Sequence, residues 1–112
     1  MDGSFDEGDI VWLDFSPQSG KEQAGKRPAL VITPKIYNAK SGLMVVCPIT
    51  TKVKGKPFEV IIPVGKKTQG AILTNHLKSI DWQTRNPVYV EQIPREVLFE
   101  VRAKLKALLR IT

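Results

Sequence analysis

Gly20-Lys21-Glu22-Gln23-Ala24-Gly25-Lys26-Arg27-Pro28 separates two runs of strand character, Ile10-Val11-Trp12-Leu13-Asp14-Phe15 and Ala29-Leu30-Val31-Ile32-Thr33. The first run alternates, with Val11, Leu13 and Phe15 on one face. The second is apolar on both faces, as a central strand is. Between them, glycines allow the backbone to turn. Pro28 fixes its own φ and pushes Arg27 towards an extended conformation. Arg27 is therefore expected at a constrained junction between loop and strand. Its guanidinium is a planar fork of donors suited to a phosphate, and Glu22 offers a carboxylate on the same loop. The plainer reading is a solvated loop whose Glu and Lys confer solubility.

Outward from this pair, more short strands follow. Leu43-Met44-Val45-Val46-Cys47-Pro48-Ile49 reads as a buried strand that bends near Pro48. Phe58-Glu59-Val60-Ile61-Ile62, Ala71-Ile72-Leu73 and Val88-Tyr89-Val90-Glu91 read as further strands, and Leu77–Trp82 as a strand or a helical turn. Residues 35–42 read as a polar connection with a turn signal, and Thr74-Asn75-His76 as a polar break. Pro94 and Glu96 then open a helix, on which Val97, Leu98, Val101, Leu105, Leu108 and Leu109 form an apolar stripe. The pattern predicts a mainly β domain, a small, strongly bent sheet or barrel followed by one C-terminal amphipathic helix. It occupies residues 1–112 as a single domain, with 1–8 as a short tail.

The chain carries 17 Lys and Arg against 11 Asp and Glu, a net charge of +6. That balance favours a polyanionic partner without choosing among RNA, DNA, an acidic protein segment or a membrane surface. No apolar run approaches the length of a membrane span. The acidic, polar N-terminus is no secretion signal, so the expected location is the cytoplasm. A single cysteine, Cys47, makes no intrachain disulfide, in keeping with a reducing compartment.

Cys47 and the lone His76 cannot form a usual zinc site, and no carboxylate cluster has ligand spacing. Neither a phosphate-cradling glycine motif nor a Gly-x-Ser-x-Gly elbow is present. No cofactor is expected. Cleavage of RNA without a metal stays open, because RNA brings its own nucleophile, the 2′-OH. The protein must supply a base, an acid and a cation for the charge that develops at phosphorus. Arg27 is the candidate cation. Thr50 and Thr51 can donate hydrogen bonds to the same phosphate. Glu22 is the candidate base, although a nearby guanidinium weakens a carboxylate in that role, so Glu22 can equally serve to position. Lys52, Lys54 and Lys56 either track an RNA backbone or simply solubilise a mobile loop.

The segments Gly8-Asp9-Ile10-Val11-Trp12-Leu13-Asp14-Phe15 and Gly20–Pro28 resemble the opening of the MazF/PemK family of toxin endoribonucleases. The likeness continues through Pro48-Ile49-Thr50-Thr51, Lys56-Pro57-Phe58-Glu59-Val60 and Leu77-Lys78-Ser79-Ile80-Asp81-Trp82. It spans about Gly8 to Leu109. The resemblance implies an SH3-like or CcdB-like barrel and a homodimer. It implies metal-free cleavage of single-stranded RNA at short motifs, leaving a 2′,3′-cyclic phosphate and a 5′-OH. It also implies an antitoxin partner whose acidic C-terminal segment covers the active surface. The family's catalytic Arg and Thr fall on Arg27 and Thr50, and the Glu implicated in some members on Glu22. Gln23, Lys26, Thr51, Lys52, Lys54, Lys56, Asn75, His76 and Lys78 are the expected RNA contacts.

One departure stands out. Many relatives read Asp-Gln where this chain reads Asn75-His76, so a negative charge available in them is missing here. His76 takes part of that role or is structural. Trp12 is expected in core or dimer packing, whereas Trp82 is evenly placed between packing and base stacking. Two other functions keep the same fold: a non-catalytic CcdB-like toxin that inhibits a protein target, and an SH3-like nucleic-acid-binding module.

Overall fold

The computed structural model describes residues 4–15 and 25–111. Its strands are β1 (Asp9–Asp14), β2 (Lys26–Val31), β3 (Leu43–Thr50), β4 (Glu59–Ile61), β5 (Ala71–Leu73), β6 (Lys78–Asp81) and β7 (Val88–Gln92). Helix α1 (Lys35–Ser41) joins β2 to β3, and α2 (Arg95–Leu109) ends the chain. All strand pairs are antiparallel, in the order β4-β5-β3-β2-β1-β7, with β6 also paired to β3.

β3 organises this sheet. Its residues Leu43–Val46 pair with β6 and its last two, Ile49 and Thr50, pair with β5. Two successive partners on one edge split the sheet into two leaves that share β3. Pro48 lies between them, where its missing N–H fits a change of partner. Among the described residues β4 and β7 do not pair with each other. The sheet is bent, as the strand spacing predicts, but it is not closed into a barrel.

Period-two alternation sends the side chains of β1–β3 into two cores. Ile10, Leu30 and Cys47 join Val60, Ile72 and the α2 residues Val97, Val101 and Leu105 on one side. Val11, Leu13, Val31, Met44, Val46 and Trp82 pack on the other. The apolar stripe of α2 holds for its first turns, but Leu108 and Leu109 are half exposed. Burial pushes the Cys47 thiol up to about 12, so this cysteine is a packing residue.

Two departures from the sequence reading have physical causes. Residues 35–41 are helical rather than a simple connection. Pro34 precedes the helix and Gly42 ends it at φ 74, the asymmetry expected of helix ends. A helix this short displays no clear 3.6-residue period. Residues 4–8, ahead of β1, are packed rather than a free tail. Phe5 stacks edge-on against Trp82, with ring centroids 6.4 Å apart. The Gly8 N–H donates to the Val31 carbonyl (2.8 Å), and the Gly8 carbonyl accepts from Ile93 N–H (2.9 Å). Of the two tryptophans, Trp82 is only 6% exposed and takes the packing place of its two expected ones, whereas Trp12 is 44% exposed on the outer side of β1 and lies outside the core.

Asn38 ties these parts together. It is fully buried. Its side-chain amide donates to the carbonyls of Phe5 (2.7 Å) and Thr33 (2.9 Å) and its side-chain oxygen accepts from the Thr33 hydroxyl (2.7 Å). Its backbone carbonyl accepts from the Trp82 indole (2.9 Å). Asn38→Ala leaves two part-buried carbonyls without this donor and should cost about 1–3 kcal/mol of stability in urea unfolding. A loss below about 0.5 kcal/mol would contradict the bridging role.

Candidate functional site

The β2–β3 ladder pairs Ala29 with Pro48, Leu30 with Cys47 and Val31 with Val46. Continuing it towards the start of β2 sets Arg27 beside Thr50. Both side chains line one groove of about 630 Å³, together with Thr51, Lys52, Lys54, Phe58, Glu59, Leu73 and His76. The groove forms where the ends of β2, β3 and β5 meet. Arg27 is a residue of β2 itself rather than of the loop junction, and β1 pairs it with Leu13 on its other side. The β1 pairing fixes its backbone on that edge.

Thr50 is 8% exposed, and its hydroxyl oxygen accepts the Lys52 N–H at 3.1 Å. An oxygen held as acceptor in this way leaves its own O–H to donate. Gly70 packs against this point at φ +113. A Cβ there would lie 2.0 Å from the Thr50 carbonyl oxygen. Only glycine permits that approach, which seats β5 against the end of β3.

His76 reaches the groove from a single 3₁₀ turn, Thr74–His76. Thr74 anchors the turn, since its N–H (3.2 Å) and hydroxyl (2.6 Å) both donate to the Phe58 carbonyl. Asn75 in the same turn is exposed and does not line the groove. Lys56 and Lys78 also lie outside its walls, Lys78 being held in β6 opposite Val46. Lys26 borders two adjoining grooves with Trp12. Glu22 and Gln23 lie outside the described residues.

The structure adds groove residues that the sequence reading passed over. Glu59, at the start of β4, is 8% exposed and lines the groove. Its carboxylate accepts backbone N–H bonds from Lys54, Gly55 and Lys56. The cue in the sequence is an acid just after a Lys-rich loop that contains a glycine. Lys67, Thr68 and Gln69 line the neighbouring groove with Arg27, Thr51 and Trp12. That loop is tied to β7 by Glu91, whose carboxylate accepts N–H bonds from Thr68 (2.7 Å) and Lys67 (3.3 Å). Partial burial pushes the Glu91 carboxyl up. The bonds from Thr68 and Lys67 and the charge of Lys66 outweigh it, so the carboxyl stays below its ordinary range.

Arg27, Lys52 and Lys54 thus face a shared space in which the described carboxylate, Glu59, already receives backbone N–H groups. Such a groove is suited to an anionic ligand whose oxygens take bonds from a guanidinium and a hydroxyl. Among the described residues, no three His, Cys, Asp or Glu side chains converge as a metal site, and no helix is long and apolar enough to cross a membrane.

Comparison with known proteins follows the same lines. Residues 6–109 match the model of the PemK-like, MazF-like toxins of type II toxin–antitoxin systems. The endoribonuclease toxin MazF of Escherichia coli is 41% identical over 104 residues, 93% of each chain. A crystal structure of MazF from Deinococcus radiodurans superimposes with a TM-score of 0.94 at 46% identity, covering 98% of this chain and 100% of that one. A MazE–MazF complex from the same organism superimposes at 0.88 and 41%, covering 99% and 100%.

The depressed Glu91 carboxyl makes stability depend on pH. Its contribution is complete above the carboxyl's value in the unfolded chain and is lost as pH falls through the lower folded-state value. The wild type should therefore be more stable than Glu91→Gln at neutral pH, with the gap closing on acidification. A gap that stays constant from neutral to strongly acid pH would contradict the staple.

Proposed function

This chain belongs to the PemK-like, MazF-like toxin family and is an endoribonuclease toxin of a toxin–antitoxin system; we propose that it cuts single-stranded messenger RNA at short motifs without a metal. The observation that carries this reading is the shared groove of Arg27 and Thr50. The scissile phosphate sits between them. The 2′-OH of the preceding nucleotide attacks phosphorus and loses its proton to a base. The bond from phosphorus to the 5′ oxygen breaks, and that oxygen takes up a proton. The products are a 2′,3′-cyclic phosphate and a 5′-OH.

Arg27 and the Thr50 hydroxyl bind the non-bridging oxygens more tightly as charge builds on them, which lowers the barrier. Proton transfer falls to Glu22 and His76, each role contributing on the order of 10²–10⁴ in rate. Their shares are separable from the limbs of the pH–rate profile in Glu22→Gln and His76→Gln. Lys52 and Lys54 flank the cleavage point, and Gln23, Lys26, Thr51, Lys56, Asn75 and Lys78 serve the flanking nucleotides. Asn75 brings no negative charge, so motif choice at its position rests on hydrogen bonding alone. The active form is a homodimer. An antitoxin silences it by laying an acidic C-terminal segment along the same basic groove, and the net charge of +6 supports both ligands.

Purified protein incubated with single-stranded RNA in EDTA should yield fragments with 5′-OH ends. Arg27→Ala should cut about 10²–10³-fold more slowly. Intact RNA, or equal cutting by the variant, would overturn the assignment. Toxicity that survives Arg27→Ala would point to a protein target instead.

A further inference from the structure

Residues 51–57 form an exposed strap over the groove that carries Lys52, Lys54 and Lys56. Six consecutive lysine, glycine, valine and proline positions at a surface are expected to move freely. Here they are held at three places. The Thr50 hydroxyl accepts from Lys52 N–H at the near end. At the far end the Lys104 ammonium of α2 reaches the Pro57 carbonyl. In the middle, Glu59 Oε1 accepts N–H bonds from Gly55 (2.8 Å), Lys54 (3.2 Å) and Lys56 (3.3 Å), and Oε2 also accepts from Lys54 (3.2 Å). The Glu59 N–H returns a bond to the Lys56 carbonyl (3.0 Å). Gly55 completes the turn at φ 74.

We propose that Glu59 is a positioning residue of the nuclease site, holding the strap in the one shape in which Lys52 and Lys54 face the RNA backbone. The inference rests on the endoribonuclease reading above. A carboxylate inside an anion-binding groove repels the ligand unless its charge is matched. Three converging N–H dipoles match it, and they curl the backbone around the carboxylate. With both oxygens engaged, Glu59 is badly placed to take the 2′-OH proton. Its effect passes through the lysines instead. Ordering the strap in the free protein removes an entropy cost that RNA binding would otherwise carry.

The test compares wild type, Glu59→Gln, Glu59→Ala, the pair Lys52→Ala with Lys54→Ala, and that pair combined with Glu59→Ala. Glu59→Ala should raise KM about tenfold with little change in kcat, as expected when uniform binding is lost. Glu59→Gln keeps one acceptor oxygen and should fall between, and it carries the test if the Ala variant does not fold. On the background lacking Lys52 and Lys54, Glu59→Ala should add less than about twofold, because the residues act as a unit. Amide hydrogens of Lys54, Gly55 and Lys56 should exchange faster in both Glu59 variants.

A Glu59 effect undiminished without the lysines, unchanged amide exchange, or loss of the acidic limb of the kcat profile in Glu59→Gln would each overturn the proposal. Wild-type protein that leaves RNA intact would instead sink the nuclease reading alone. Binding of a mixed-sequence single-stranded RNA then decides the strap. The slope of log affinity on log salt should fall by about 1.4 in Glu59→Ala, the share of two lysine–phosphate contacts. An unchanged slope would refute it.

Discussion

Everything at the groove depends on the register between β2 and β3. The pairing of Ala29 with Pro48 and Leu30 with Cys47 is what carries Arg27 alongside Thr50. A slip of one residue would turn each side chain to the opposite face. Ala29, Leu30 and Val31 are fully buried, and they divide between two cores of different shape. Leu30 fits beneath α2, whereas Val31 fits beside Met44 and Val46. The slipped pairing would exchange a large and a small side chain in both cores at once. Overpacking and cavity formation together make such an exchange costly. The apolar interior and the placement of the guanidinium are therefore one constraint.

Around this rigid pair the molecule uses polar side chains to hold its loops. Asn38 gathers the N-terminal segment, α1 and Trp82. Glu91 ties residues 67 and 68 to β7. Glu59 collects the N–H groups of the lysine strap. In each case a short side chain replaces strand pairing as the partner of loop backbone, which otherwise would need water. The groove consequently has a fixed floor of strand ends and walls of stapled loop. This arrangement suits a site that must present donors to a phosphate before chemistry begins.

Much of this is legible in the sequence because its signals are local. Alternation at Val11, Leu13 and Phe15, the all-apolar run at Ala29–Val31, and Pro94 before an apolar stripe each name their element directly. Arg27 and Thr50 stand out because a guanidinium and hydroxyls at strand ends match phosphate chemistry. Other features depend on distant partners. The acid after the lysine loop marks Glu59 but does not fix its direction, since the acids of a basic loop are usually solvated. Trp12 sits in an alternating strand yet points outward, because its neighbours Val11 and Leu13 already occupy the core face. The helix at 35–41 is too short for periodicity, and its buried Asn38 reads as a turn residue until Phe5, Thr33 and Trp82 are seen around it. Closure of the sheet is likewise beyond local pattern, because it depends on whether the end strands β4 and β7 meet.

The central claim is that Arg27 and Thr50 act on one phosphate. A double-mutant cycle on RNA cleavage, with Arg27→Ala, Thr50→Val and both together, tests it most directly. The account predicts a large loss in kcat for each single variant and a combined loss much smaller than their product, as expected for groups that serve the same charge. Losses that simply multiply, or a Thr50→Val enzyme that cuts like wild type, would contradict it.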